Sequence, residues 1–261
     1  MTRYSSIAAL LFASLLAACG TKEIQSLTGT DPQARVRFFN FGVNAPSVNF
    51  YADETKMTAI QSTTGTESTT GIAYGGVGAG GAYATIDPGQ HTLTGRIAAT
   101  TDKDLAISSV STTIEDGKYY SFYMSGIYNA TTKTVEGFVV EDSFPIPADL
   151  TVATVRFVHA ISNANPMTLY AKSTTATPTE VPVGAEVAYK VAGAFTTLPA
   201  GVYDLSTRYN GVTTNAVART GVSFLGGRVY TVTARGDIAV APTTTACAAA
   251  NRTCLDNTAN R

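Results

Sequence analysis

Beyond residue 33 the chain alternates apolar and polar positions with a period of two. Val48, Phe50 and Ala52 interleave with Asn49 and Tyr51, and Met167, Leu169 and Ala171 interleave with Thr168 and Tyr170. Such alternation marks strands with one face on a core and the other turned outward. No mature segment holds an apolar stripe at i, i+3, i+4 and i+7 over three turns, and Thr, Val, Tyr and Gly stand where a helix favours Ala, Leu, Glu and Lys. An all-β fold follows.

The strand pattern occurs twice. VRFFNFGVNAPSVNFYA, from Val36 to Ala52, returns as VRFVHAISNANPMTLYA from Val155 to Ala171, identical at seven of seventeen positions, where chance gives roughly one. A second block, Ala82 to Gly89, is matched by Ala194 to Gly201, each ending in a Pro and Gly turn signal before an alternating strand closed by Arg96 or Arg208. That spacing predicts a hairpin. In a third block, Asp116-Gly117-Lys118 and Gly226-Gly227-Arg228 each feed a strand, Tyr120–Met124 or Tyr230–Ala234. The offset between copies shrinks from 119 at Val36/Val155 to 110 at Tyr120/Tyr230, which puts the length changes in loops. One of these is a Thr- and Ser-rich insert, Ser62 to Gly71.

These blocks predict two tandem antiparallel β-sandwiches of about seven strands each, covering 34–147 and 151–242. They are Ig-like only in general architecture, since neither a Trp nor a Cys pair is present for the core of an antibody domain. Each copy, roughly a hundred residues long, is large enough to fold alone. Pro145 and Pro147 make the connection between them short and stiff.

The flanks carry the clearest chemistry. Arg3 is followed by the apolar run Ile7 to Ala18, the length of a signal-peptide core and short for a membrane span. Leu16-Ala17-Ala18-Cys19-Gly20 resembles the bacterial lipobox, which implies cleavage after residue 18 and diacylglyceryl modification of Cys19. The resemblance further implies export to the outer membrane, since Gly20 replaces the Asp of inner-membrane retention. Residues 19–33, with Asp31-Pro32 near their end, read as a polar tether spanning about 20 Å. At the other end, residues 243–261 read as a tail beyond both modules. Its Cys247 and Cys254, in an exported chain, are expected to form a disulfide worth roughly 2–3 kcal/mol.

Between the flanks the search for reactive groups returns little. Eighteen basic and nineteen acidic residues, scattered, offer no field for nucleic acid. Gly76, Gly78 and Gly81 satisfy G-x-G-x-x-G, but a strand follows rather than a helix that could hold a phosphate. His91 and His159 lie at non-equivalent positions without the partners of a metal site, and read as structural. Asp102/Asp104, Glu115/Asp116 and Glu141/Asp142 read as solvated carboxylates in loops or strand ends. Tyr51 and Tyr170, repeated and directed away from the core, are the candidate binding surface, against the simpler reading of cross-strand packing.

VRFVHA at Val155–Ala160, the Asn-Ala before the second strand and the Tyr-Ala after it resemble the bacterial domain of unknown function family 4397. That resemblance implies exported tandem modules and no particular reaction. The first copy departs from it at Asn40 and Phe41, where the second has His159 and Ala160. The expectation is a non-catalytic binding or adhesion lipoprotein without a cofactor or metal. Its partners would be the membrane, through its N-terminal lipid, and a glycan or envelope protein. A structural envelope lipoprotein is the alternative, and a hydrolase a distant third.

Overall fold

The computed structural model describes residues 34–58, 70–146, 148–175, 177–240 and 253–260. The leader with Cys19, the tether, nearly all of the Ser62–Gly71 insert, Pro147 and Cys247 lie outside the described residues.

The first copy comprises β1 (Ala34–Val43), β2 (Val48–Ala52), β3 (Thr55–Lys56), β4 (Ala84–Ile86), β5 (Gly89–Ile97), β6 (Ala106–Ile114), β7 (Tyr119–Asn129) and β8 (Thr134–Glu141). The second repeats it as β9 (Val152–Ala160), β10 (Met167–Ser173), β11 (Glu180–Pro182), β12 (Thr196–Pro199), β13 (Gly201–Tyr209), β14 (Val217–Phe224), β15 (Val229–Arg235) and β16 (Cys254–Ala259). Each copy is a sandwich of two four-stranded sheets, ordered β4-β1-β7-β8 over β3-β2-β5-β6, and β12-β9-β15-β16 over β11-β10-β13-β14. The all-β tandem sandwich expected from the alternation is therefore present.

Several details differ from expectation. Among the described residues each copy has eight strands, and one pair in each is parallel: β1 runs alongside β7 from Arg35↔Tyr119 to Val43↔Ile127, as β9 runs alongside β15. The expected hairpin at Asp87-Pro88 is instead a crossover between sheets, because β4 pairs with β1 while β5 pairs with β2. Gly89, at φ 139°, gives the abrupt turn. Ile86 and Leu93 then enter one core from opposite sheets.

The tail reading is also corrected. Cys254–Ala259 is β16, antiparallel to β15 with Ala234↔Leu255 in register, and Leu255 is fully buried. The second sandwich thus runs to residue 259 rather than ending near 242, since β15 needs the partner that β8 provides for β7.

Each sandwich has its own core. Phe38, Phe50 and Phe122 meet in the first at centroid distances of 5.2–6.1 Å, and Phe157, Leu169, Leu205, Phe224 and Val232 fill the second. A third cluster lies between the copies, where the outer face of the β1/β7/β8 sheet meets that of β9. Phe39, Phe41, Tyr123, Phe138 and Val140 from the first copy pack on Val158 and Ala160 of the second. Tyr123 stacks between Phe39 at 4.6 Å and Phe138 at 5.0 Å. Bulky side chains come from one copy and small ones from the other, which fills the gap without overpacking.

A ring of polar groups closes this contact with near-twofold symmetry. Arg37 and Arg156, at equivalent places in β1 and β9, each reach to the residue that follows the last strand of the opposite copy: Arg37 to Asn260, Arg156 to Asp142. Tyr83 links Arg37 (3.0 Å) to Asp142 (2.7 Å), and Thr231 links Arg156 (3.0 Å) to Asn260 (2.8 Å). Each guanidinium also lies over an aromatic ring of the equivalent strand approach, Arg37 on Tyr83 at 4.4 Å and Arg156 on Phe195 at 4.9 Å. Ser121 donates to Asp142 at 2.7 Å. Asp142, expected to be solvated, is buried.

The far end of the contact repeats the exchange. Ser125 donates to the Ala160 carbonyl at 3.0 Å and meets the Tyr189 hydroxyl at 3.3 Å, while Arg235 of the second copy lies over Tyr74 of the first at 4.7 Å. Lys190 pairs with Glu136 across the edge at 3.0 Å. The two sandwiches form one compact unit. Neither could expose Phe39, Phe41 and Tyr123, or an unpaired Arg156, without cost.

Candidate functional site

Tyr51 and Tyr170 do point away from the cores, on β2 and β10, and each is met by the Arg that closes the neighbouring strand. Arg96 lies over Tyr51 at 4.5 Å and Arg208 over Tyr170 at 4.6 Å. Each guanidinium is held flat by a two-pronged bond to a Glu, Arg96 to Glu54 at 2.8 and 2.9 Å and Arg208 to Glu180 at 2.8 and 2.7 Å. The planar fork suits both contacts at once, which an ammonium could not do. Both carboxyls are held below the usual range by hydrogen bonding to their Arg.

The repeat therefore encodes a Tyr, Arg, Glu stack on the outer sheet of each copy. The sequence shows the Tyr and the Arg separately, but the Glu has no pattern of its own, Glu54 lying in the turn before β3 and Glu180 opening the short β11. In the first copy the stack closes over itself. Tyr51 is only 9% exposed and its hydroxyl donates to Asp104 at 3.3 Å. The expected exposed aromatic is thus not available there, because Arg96 covers its face and Asp104 takes its hydroxyl.

The second stack is open. Tyr170 is half-buried and forms, with Thr168, Arg208, Tyr209, Glu186 and the Asn210–Thr213 turn, the wall of a cleft of about 460 Å³. The turn is tight because Gly211 takes φ 72° and the Val212 amide donates to the Tyr209 carbonyl at 3.1 Å. Asn215 accepts from Arg208 Nε at 2.8 Å, fixing the guanidinium from the far side. Two phenols, a carboxylate, a guanidinium, hydroxyls and an amide line one concavity. Such a wall can order the hydroxyls of a polar ligand, but it holds no nucleophile paired with a base.

The histidines are engaged elsewhere. His159 is fully buried in β9, where Nδ1 accepts from the Ile161 amide at 3.2 Å and Nε2 faces the Asn165 carbonyl at 3.1 Å, fixing the Nε2–H tautomer. Burial lowers its pKa. Asn40 does the same work in the first copy, its Oδ1 accepting from the Gly42 amide at 3.2 Å and its Nδ2 donating to the Ile72 carbonyl at 2.8 Å. The departure at this position is therefore a structural equivalence. His91 lies between Asp53 and the Asp87 carbonyl, both at 2.8 Å. Asp102 pairs with Lys133 at 2.7 Å, and Lys118 bridges Glu115 and Glu141 at 2.9 and 3.1 Å. Gly78 to Gly81 form a single 3-10 turn, too short for a phosphate site. Among the described residues no group of three His, Cys, Asp or Glu side chains is placed to hold a metal.

The model of the Domain of unknown function (DUF4397) family matches residues 34–151 and 153–259, which is most of the chain in two consecutive copies. The chain belongs to the DUF4397 family. The second DUF4397 match ends at 259, where β16 ends, so sequence family and strand pairing agree on that boundary. No curated protein matches the chain.

Among solved structures, the Bacillus anthracis TIE protein is 13% identical over 78% of this chain and 34% of its own, with a TM-score of 0.24. This chain thus spans about a third of that protein. A candidate cell adhesion protein from Bacteroides ovatus is 10% identical over 88% of this chain and 97% of its own, at TM-score 0.25. CBMbc (family CBM26) from Eubacterium rectale Amy13K, in complex with maltoheptaose, is 10% identical over 87% and 97%, at TM-score 0.24. Scores this low carry no argument about the DUF4397 pair.

Proposed function

We propose that this chain is a lipid-anchored, non-catalytic binding protein of the bacterial outer membrane, holding a glycan or a protein segment in the cleft beside Tyr170. The observation that carries the reading is the difference between the two Tyr, Arg, Glu stacks. The first is sealed by Asp104, whereas the second forms one wall of a polar cleft with Tyr209 and Glu186. A stack that served only to cover the sheet would need no such opening. The rigid mounting of Arg208 between Tyr170, Glu180 and Asn215 supports recognition, because a preorganised donor loses little entropy on binding. Export and acylation of Cys19 rest on the lipobox resemblance, and a Cys247 to Cys254 bridge on the even pair in an exported chain.

Glycan-array and envelope-extract binding by the full chain tests this. Tyr170→Ala and Tyr209→Ala should each weaken capture by tenfold or more, while Lys133→Ala, remote from the cleft, should leave it unchanged. Equal capture by all three variants would remove the cleft from consideration. Crosslinking confined to neighbouring envelope proteins, with no cleft dependence, would favour the structural alternative, which the locked pair of sandwiches also suits. Protection of both thiols from alkylation until reductant is added is the result expected for the bridge.

A further inference from the structure

The two copies present the same end of the fold with opposite chemistry. At the end where β1 and β9 begin, the second copy exposes Leu225 (58%), Leu150 (75%) and Val202 (42%), with Ile146 (85%) in the segment before β9. Leu150 lies against the Leu225-Gly226-Gly227 turn, since a Cβ on Gly227 would meet its Cδ2 at 2.8 Å. Val202 pairs with Ser223, two residues before Leu225. Behind Val202 opens a cavity of about 410 Å³ walled by Val181, Leu198, Pro199 and Tyr203 together with the hydroxyl side chains of Ser173 and its neighbouring threonines. In the first copy the corresponding turn carries Glu115 and Asp116, the strand start Gln90, and the smaller cavity of about 150 Å³ places Asp53, Asp87 and His91 beside Met57 and Ile86. The fold therefore does not require leucine or valine here. An exposed apolar cluster that its own sister copy replaces with charge marks a docking surface.

Its position names the occupant. The fourteen residues between Cys19 and Ala34 join the sandwich at this same end, a chain of about 20 Å in random-coil reach. We propose that the apolar end of the second copy docks on the lipid surface, with Leu150, Leu225 and Val202 entering the headgroup boundary and Arg228 beside them facing lipid phosphate. This rests on acylation of Cys19, which holds the chain at the bilayer. Docking then sets its orientation, so that the Tyr170 cleft, whose Asn210–Thr213 turn lies at the opposite end of β13, faces away from the membrane.

The chain contains no Trp, so a single introduced one reports its own surroundings. The full acylated chain is reconstituted in vesicles carrying brominated acyl chains, as Leu225→Trp, as Glu115→Trp at the matching turn of the first copy, and as Val212→Trp at the far end. Strong quenching at 225, weak at 115 and none at 212 is the expected result. Adding Leu150→Asp to Leu225→Trp should lower the docked-to-undocked ratio by roughly tenfold. Flotation of the vesicles reads the anchor separately: a chain that does not float overturns the Cys19 reading and the proposal with it. A chain that floats with position 225 quenched no more than 212 overturns docking alone, as does equal quenching at 115 and 225. An indole in the Leu225→Trp variant that is unquenched in vesicles yet shielded from a soluble quencher in intact envelopes would assign the surface to a protein and overturn the lipid assignment.

Discussion

Asp142→Ala tests whether the two sandwiches stand as one body. The carboxylate is buried and accepts from Arg156, from Tyr83 at 2.7 Å and from Ser121 at 2.7 Å, with Arg37 one step away through Tyr83. Removing it leaves the Arg156 guanidinium, 3% exposed, without its counter-charge. Breaking one side of a buried pair costs about 3–5 kcal/mol, more than the ~1 kcal/mol of either hydroxyl bond, so the charge decides the outcome. With a urea m-value of about 3 kcal/mol/M for a chain of this size, the midpoint should fall by about 1 M or more. Urea unfolding followed by far-ultraviolet circular dichroism reads that shift, and the parent should unfold in a single transition. Asp142→Leu combined with Arg156→Met should recover most of the loss, because an apolar pair of similar volume is tolerated where half an ion pair is not. A shift below about 0.3 M for Asp142→Ala, or separate transitions for two halves of the parent, would refute the coupling.

Three further outcomes follow from the same geometry. His159 has its pKa lowered by burial and is neutral in the fold, so its contribution is fully present above the unfolded value near 6.5 and is lost as pH falls below it. The slope reaches up to about 1.4 kcal/mol per pH unit. His159→Asn, copying Asn40, should flatten the difference between urea midpoints at pH 7.5 and 5.5, and an unchanged slope would show the imidazole is not buried neutral. Ala160→Phe puts a second bulky ring against the Phe39, Phe41, Tyr123 stack and should cost about 1–3 kcal/mol, read as a lowered thermal midpoint. Ending the chain at residue 252 removes β16 and uncovers Leu255's site in the core, so the single calorimetric transition of the parent should move to markedly lower temperature or be lost.

Much of the architecture could be read from alternation alone, because a strand with one wet face leaves a period of two. The strands that were hardest to read are those with no wet face. β15 is buried at every position and β1 at all but one, so Arg37, Thr231 and Thr233, which mark a wet face in the sequence, are instead enclosed between the copies. The run Phe38-Phe39 followed by Phe41 was the available signal of burial on both faces. β16 is hard to read because CLDNTA is short, mixed and set beyond a stretch of sequence without pattern, and its pairing with β15 identifies it. At the candidate site, Tyr170 and Arg208 stand out as repeats, but Glu180 comes from the three-residue β11 and Glu186 from a loop, and their spacing says nothing of where they meet. Asp142 looked solvated since no local pattern distinguishes a carboxylate at a strand end from one that crosses to another domain.

The unequal division of side chains between the copies also fixes which surfaces can recognise each other. A pairing of two first copies, from the same or different molecules, would press Phe39, Phe41 and Tyr123 against their own duplicates, while two second copies would meet through Val158, Ala160 and Thr233 with space between them. Only the mixed pairing fills the gap. The linker supplies that partner within the same chain, at a local concentration that separate molecules cannot match. The contact thereby discourages strand exchange between neighbouring molecules, a hazard for any protein built from two copies of one fold.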